Sequence, residues 1–192
     1  MSPGGTRVAL AVLCGGLSLG ACDGGGEPPA RVTVELPREI TAAELRNTTY
    51  PTQHLPGGRI RLTGGAYDDP DRRLIVRLLQ EYAVGDLNGD GAPDAAVLLS
   101  TSAGGSGVFQ DLAVVLNAPP DSARRVATTF LGDREPVDRI RIEGGEVSLD
   151  LLEHGPGDAM CCPTQPVTRR YRLVDGGLVP APSSGDDGSA AS

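Results

Sequence analysis

Apolar and polar residues alternate along most of this chain. The runs "RVTVEL" (31–36), "RIRLT" (59–63), "RLIVRLLQEY" (73–82), "AAVLLS" (95–100), "GVFQDLAVVLN" (107–117), "VATTFLG" (126–132), "VDRIRIE" (137–143), "EVSLDLLE" (146–153) and "VTRRYRLV" (167–174) are short. They are rich in β-branched residues and Leu and are bounded by Gly, Pro, Asp or Asn. This period of two is that of half-buried strands. At the joins, Gly64-Gly65, Gly144-Gly145 and Asp175-Gly176-Gly177 tolerate positive φ. Links this short suit antiparallel neighbours and not parallel crossovers. One stretch breaks the period. In "ITAAELRN", Thr41 and Glu44 form a capping box and Ile40 is placed to staple against Leu45, which predicts a helix start. The expected fold is mainly β: an antiparallel sheet, sandwich or open barrel with one short N-terminal helix.

The two ends depart from that pattern. Val8 to Leu19, "VALAVLCGGLSL", is apolar behind the single positive charge of Arg7. A membrane-spanning helix needs about 20 apolar residues, so this run reads as a cleaved export signal. "LGAC", ending at Cys22, resembles the lipobox of bacterial lipoproteins. The resemblance implies lipidation of Cys22, cleavage before it, and anchoring at the extracytoplasmic face of a membrane, where two acyl chains or more hold firmly. The expected organisation is a signal peptide over 1–21, a Gly/Pro-rich flexible tether over 22–30, a single β-rich domain over 31–180, and a disordered polar tail over 181–192.

Removing residues 1–21 takes away Arg7 and no acid, leaving 16 Arg against 25 Asp and Glu, a net charge of −9. That balance argues against nucleic acid, whose binding relies on neutralising phosphates, and against a polybasic grip on lipid. Trp is absent, so Val, Leu, Ile and Ala must fill the core.

The most specific chemical pattern is "GDLNGDGAPDAAVLL" (85–99). Asp86, Asn88, Asp90 and Asp94 place hard side-chain oxygens along one short loop, and Gly91 permits a sharp turn. The Ala92 carbonyl can add another oxygen. Such a donor set suits Ca²⁺, which takes six to eight oxygens at roughly 2.3–2.6 Å. It does not suit zinc or copper. An EF-hand would require a Glu at the twelfth position, which here is Val97. The loop resembles the calcium loop of FG-GAP and VCBS-type repeats, which links two strands. That resemblance implies Ca²⁺ ligation by Asp86, Asn88, Asp90, Ala92 and Asp94. A propeller needs several such repeats, and this chain carries one copy. The competing reading is a metal-free Asx turn.

The second unusual stretch is "HGPGDAMCCPTQ" (154–165). Neighbouring Cα atoms lie about 3.8 Å apart, below the usual disulfide range that starts at about 4.4 Å, so a Cys161–Cys162 bond would be strained and reducible. Three chemistries are open at this stretch. One is a vicinal disulfide and another a reactive dithiol. The third is a soft-metal site in which Cys161, Cys162, Met160 and His154 hold Cu(I).

No catalytic constellation stands out. The histidines are His54 and His154, and "GGSGV" around Ser106 lacks the final Gly of a nucleophile elbow. There is no Lys for a phosphate-cradling loop. Paired carboxylates for glycoside cleavage are left open by the sequence. The stretches "GDLNGDGAPDAAVLL", "GGSGVFQDLAVVLN", "FLGDR" and "HGPGDAMCCPTQPVTRRYRL" together resemble a group of secreted bacterial proteins with no assigned activity. The expectation is a lipid-anchored, calcium-stabilised β module that binds a protein or ligand partner without catalysis. The alternative is a thiol-dependent redox or copper-handling protein using Cys161 and Cys162.

Overall fold

The computed structural model describes residues 38–117, 125–159 and 161–182. The expected signal, tether and 31–36 strand, Met160, and residues 183–192 of the expected tail lie outside the described residues.

Helix α1 (Ala42–Leu45) opens the described chain, and its start follows the capping chemistry of its sequence. The Thr41 hydroxyl accepts from the Glu44 amide at 3.3 Å, while the Thr41 amide donates to Glu44 Oε2 at 2.9 Å. Ile40 and Leu45 on either side are both buried in one cluster. The helix stops after one turn, where the Leu45 carbonyl accepts from the Tyr50 hydroxyl at 2.8 Å. Burial holds that phenol well above the ordinary tyrosine range.

Every strand pair that follows is antiparallel. Strands β1 (Thr49–Pro51) and β2 (Arg59–Arg61) make a small two-stranded sheet. Strands β3 (Ala66–Asp69), β4 (Leu74–Gly85), β5 (Asp94–Ala103), β6 (Phe109–Val115) and β7 (Val126–Asp133) form a five-stranded meander in that order. The last four, β8 (Val137–Glu143), β9 (Glu146–Glu153), β10 (Gln165–Val174) and β11 (Gly177–Ala181), form a second meander. Two-residue turns close the β8–β9 and β10–β11 hairpins. Asp175 and Gly176 both take positive φ in the second of these (51° and 80°), the geometry that matches strand twist.

The two meanders face each other as a sandwich. Leu98, Leu112, Val114 and Leu131 of the first meet Ile140, Val147, Leu149, Leu151 and Tyr171 of the second. The opposite face of the five-stranded sheet is also covered. Val76, Ala95, Val97, Leu99 and Val115 pack with Ile40, Leu45, Tyr50, Ile60 and Leu62, which lie in or next to the helix and the small sheet. Residues 94–99 of β5 are therefore buried without interruption. The half-buried expectation holds for β9, whose burial alternates. It fails for β5 because both of its faces carry a layer, and a strand covered on both sides reads as a continuous apolar run.

Strands β1, β3 and β11 escape the alternating pattern. Their sequences, "TYP", "AYDD" and "GLVPA", carry Pro or Asp that disfavour strands in isolation. They form at sheet margins, where a missing or unpaired amide is tolerated.

Replacing Leu98 with Ala should lower stability by about 2–5 kcal/mol, because it is 1% exposed between the two sheets. Ile75→Ala, at a residue 43% exposed, should stay within about 0.5 kcal/mol. Urea denaturation of both variants checks the layer assignment.

Candidate functional site

Strands β4 and β5 are registered down to the pair Gly85–Asp94, so residues 86–93 are the hairpin connection itself. Gly85 sets where this connection sits. A Cβ at that position would lie 2.6 Å from Cγ2 of Ile142 on β8, so only Gly allows β4 to end against the second sheet. The acidic loop thus emerges where the two sheets meet.

Within it, the side chains named from sequence fold back onto the backbone. Asp86 accepts from the Gly89 amide through Oδ1 (2.7 Å) and from the Gly91 amide through Oδ2 (2.9 Å). Gly89 and Gly91 take positive φ, 76° and 79°, which turns their amides toward that carboxylate. Asn88 Oδ1 accepts from the Asp90 amide (3.0 Å), and Asp90 Oδ1 accepts from the Ala92 amide (2.8 Å). Asn88 Nδ2 donates to Asp90 Oδ2 at 2.8 Å. The backbone bonds, those from Gly91 and Gly89 foremost, hold the Asp86 carboxyl below the usual carboxylate range.

Asp94 is different. It is fully buried, accepting from the Leu87 amide (2.9 Å) and from the Asn117 amide beyond β6 (2.8 Å). Burial raises its carboxyl above the ordinary range, and the charges of Asp90 and Asp86 add to the rise against those two hydrogen bonds. Leu87, the apolar residue inside the acidic loop, points into the core between the sheets. Sequence reasoning singled out neither Leu87 nor Asn117. Leu87 breaks the polar run visibly, whereas nothing in the sequence links Asn117 to a loop so far away.

The donor chemistry fits Ca²⁺, since every named side-chain acceptor is a hard oxygen. An ionised carboxylate oxygen has more than one lone-pair site, so a backbone bond leaves capacity for a cation. Among the described residues, no group of three or more His, Cys, Asp and Glu side chains stands in position to hold a metal ion. In this loop Asp94 is engaged by Leu87 and Asn117, and the Asn88 amide nitrogen rests on Asp90. A cation would have to displace that amide and draw the carboxylates together.

The cysteine stretch forms the β9–β10 connection, residues 154–164. Cys161 and Cys162 are joined Sγ to Sγ and both are exposed. Asp158 closes the base of this loop. It accepts from the amides of Gly155 and Thr164, each at 2.8 Å, and from the Thr164 hydroxyl at 3.0 Å. Those bonds, the Gly155 amide first, hold its carboxyl low, with a smaller contribution from the charge of His154. Pro163 is buried, while His154 is exposed at the start of the loop.

The other histidine lies elsewhere. His54, on the β1–β2 connection, stacks on Phe109 of β6 with centroids 5.7 Å apart. The "GGSG" segment around Ser106 is a turn before β6, tied down by the Val108 amide on Asp133 Oδ1 (2.7 Å) and by Arg134 on the Ser106 carbonyl. Glu135 and Glu153 share one guanidinium, that of Arg169, at 2.7 and 2.6 Å. Arg169 also donates to the Leu131 carbonyl at 2.8 Å, so this cluster ties β10 to the end of β7.

No protein-family model, curated protein or solved structure matches the chain.

Asp94→Ala leaves the buried Leu87 amide and the part-buried Asn117 amide without their acceptor; a buried unmatched donor costs about 1–3 kcal/mol, and the Leu87 amide sets the least expected loss. Denaturation in the presence of a chelator should show a loss of that size, so that it reports the hydrogen bonds and not an ion.

Proposed function

We propose that this chain is a lipid-anchored, extracytoplasmic β module whose β4–β5 connection is stabilised by Ca²⁺, and that it serves as a binding or envelope-associated domain without catalysis. The anchoring half of this reading rests on the sequence around Cys22, where a short apolar run ends in small residues before a cysteine and a Gly/Pro tether follows. The calcium half rests on one observation: Asp86, Asn88, Asp90 and Asp94 bring hard oxygens into a single strand-to-strand loop whose two glycines already turn it back on itself.

When bound, Ca²⁺ would supply compensating charge. The residues that would hold it are Asp86, Asn88, Asp90 and Asp94, with the Ala92 carbonyl. Asp86 and Asp90 both push the buried Asp94 carboxyl upward, so the loop carries mutual repulsion that a divalent cation would offset. The role is structural. Asp94 sits at the last registered pair of β4 and β5 and also reaches Asn117 after β6. Tightening it would hold three strands at one end of the sheet.

Adding about 10 mM Ca²⁺ to chelated protein should stabilise it by roughly 1.4–2.7 kcal/mol for a dissociation constant of about 10⁻⁴–10⁻³ M. The gain should disappear in Asp86→Ala/Asp90→Ala, with Mg²⁺ as the control. A melting temperature indifferent to calcium would leave the loop as a plain Asx turn. For the anchor, Cys22→Ser should move the protein from the membrane fraction to the soluble extracytoplasmic fraction; unchanged partitioning would remove the lipidation reading.

A further inference from the structure

The β9–β10 connection is longer than the fold requires. The two strands are registered down to the pair Glu153–Gln165, and elsewhere in the same sheet Gly144-Gly145 and Asp175-Gly176 suffice to close a hairpin. Residues 154–164 are thus an excursion from the sheet. Connections that carry chemistry are commonly built this way, as surface segments on a rigid scaffold.

The described residues of the excursion are tied together by bonds that involve no sulfur. Asp158 gathers Gly155 from one end and Thr164 from the other. The Asp158 amide donates back to the Gly155 carbonyl at 3.1 Å, the Cys162 amide donates to the Ala159 carbonyl at 2.9 Å, and Pro163 is buried.

A disulfide stabilises a fold chiefly by closing a loop of the unfolded chain, and its effect grows with the length enclosed. The Cys161–Cys162 bond joins residues one apart in sequence, so it encloses a single peptide unit and constrains almost nothing of the unfolded chain. It ties no two elements of the fold together. Both residues are exposed, so an attacking thiolate can reach them. The bond is therefore structurally dispensable, solvent-accessible, and presented on a loop that keeps its own shape.

From this we propose that Cys161–Cys162 is a reversible dithiol/disulfide site that exchanges electrons with an external dithiol. A thiolate of that dithiol attacks one sulfur, breaks the Cys161–Cys162 bond and forms a mixed disulfide, releasing the other cysteine as a thiolate. The second thiol of the donor then attacks the mixed disulfide, leaving the donor as its own disulfide. Two electrons and two protons pass to the protein, which ends with two free thiols. In the reverse direction the protein dithiol reduces an external disulfide. This goes beyond the calcium-stabilised module, and neither reading depends on the other.

The test uses the full chain, folded, in calcium-free buffer. Dithiothreitol is added, thiols are trapped with N-ethylmaleimide, and peptide mass mapping reads Cys161 and Cys162 separately from the other cysteines. The expected result is no labelling of the pair before reduction and full labelling after it, with one oxidised dithiothreitol formed per pair. Circular dichroism should be unchanged and the melting temperature should stay within about 2 °C, at most about a 1 kcal/mol effect for a domain of this size. Oxidised glutathione should then restore the bond. Cys161→Ser/Cys162→Ser should melt like the parent and take up no label at these positions. The proposal is overturned if the pair resists reduction until the domain unfolds, if reduction collapses the melting temperature, or if both thiols label without reductant.

Discussion

Residues 94–99 of β5 have water on neither face, and the rest of the molecule is arranged around that constraint. Ala96 and Leu98 go to the cluster between the two meanders, while Ala95, Val97 and Leu99 go to the cluster beneath α1 and the β1–β2 sheet. A strand so placed must have both neighbours for its backbone, which β4 and β6 supply, and a layer over each face for its side chains. The capped helix and the small sheet exist in this architecture as a cover. Their buried residues, Leu45, Tyr50, Ile60 and Leu62, close the side that the second meander leaves open.

That burial explains why Asp94 is tolerable at the head of β5. A buried carboxylate is costly unless it is hydrogen-bonded, and Asp94 receives two amides, one from its own loop and one from beyond β6. The same carboxylate therefore begins the core strand, shapes the acidic loop and ties in a third strand. Leu87 fixes the loop from below by entering the core. The loop is anchored by one apolar and one polar contact, which leaves Asp86, Asn88 and Asp90 free to serve the turn at its outer end.

The two unusual stretches differ in how they relate to the fold. The acidic loop is continuous with the core through Leu87 and Asp94. The cysteine loop is closed on itself by Asp158, and Pro163 within it is buried. A change in the first is felt by β4, β5 and β6. The bonds described for the second run between its own residues.

The sequence by itself determined the local choices. Thr41, Glu44, Ile40 and Leu45 specified the helix start through neighbouring hydrogen bonds and one apolar pair, and period-two runs marked β7 to β10 because alternation follows directly from the pleat. Paired Gly and Asp-Gly marked the hairpin turns because few residues accept positive φ. The turn at Asp86, Asn88 and Asp90 was legible because it too is local: the bonds those side chains make join residues two to five apart. Only the tertiary structure decided which strands had two buried faces, that β1, β3 and β11 would form at sheet margins, and that Asp94 would be shared with Asn117. Those outcomes depend on which distant segments come to lie against one another, and burial by a partner far along the chain leaves no periodic mark on the residues it covers.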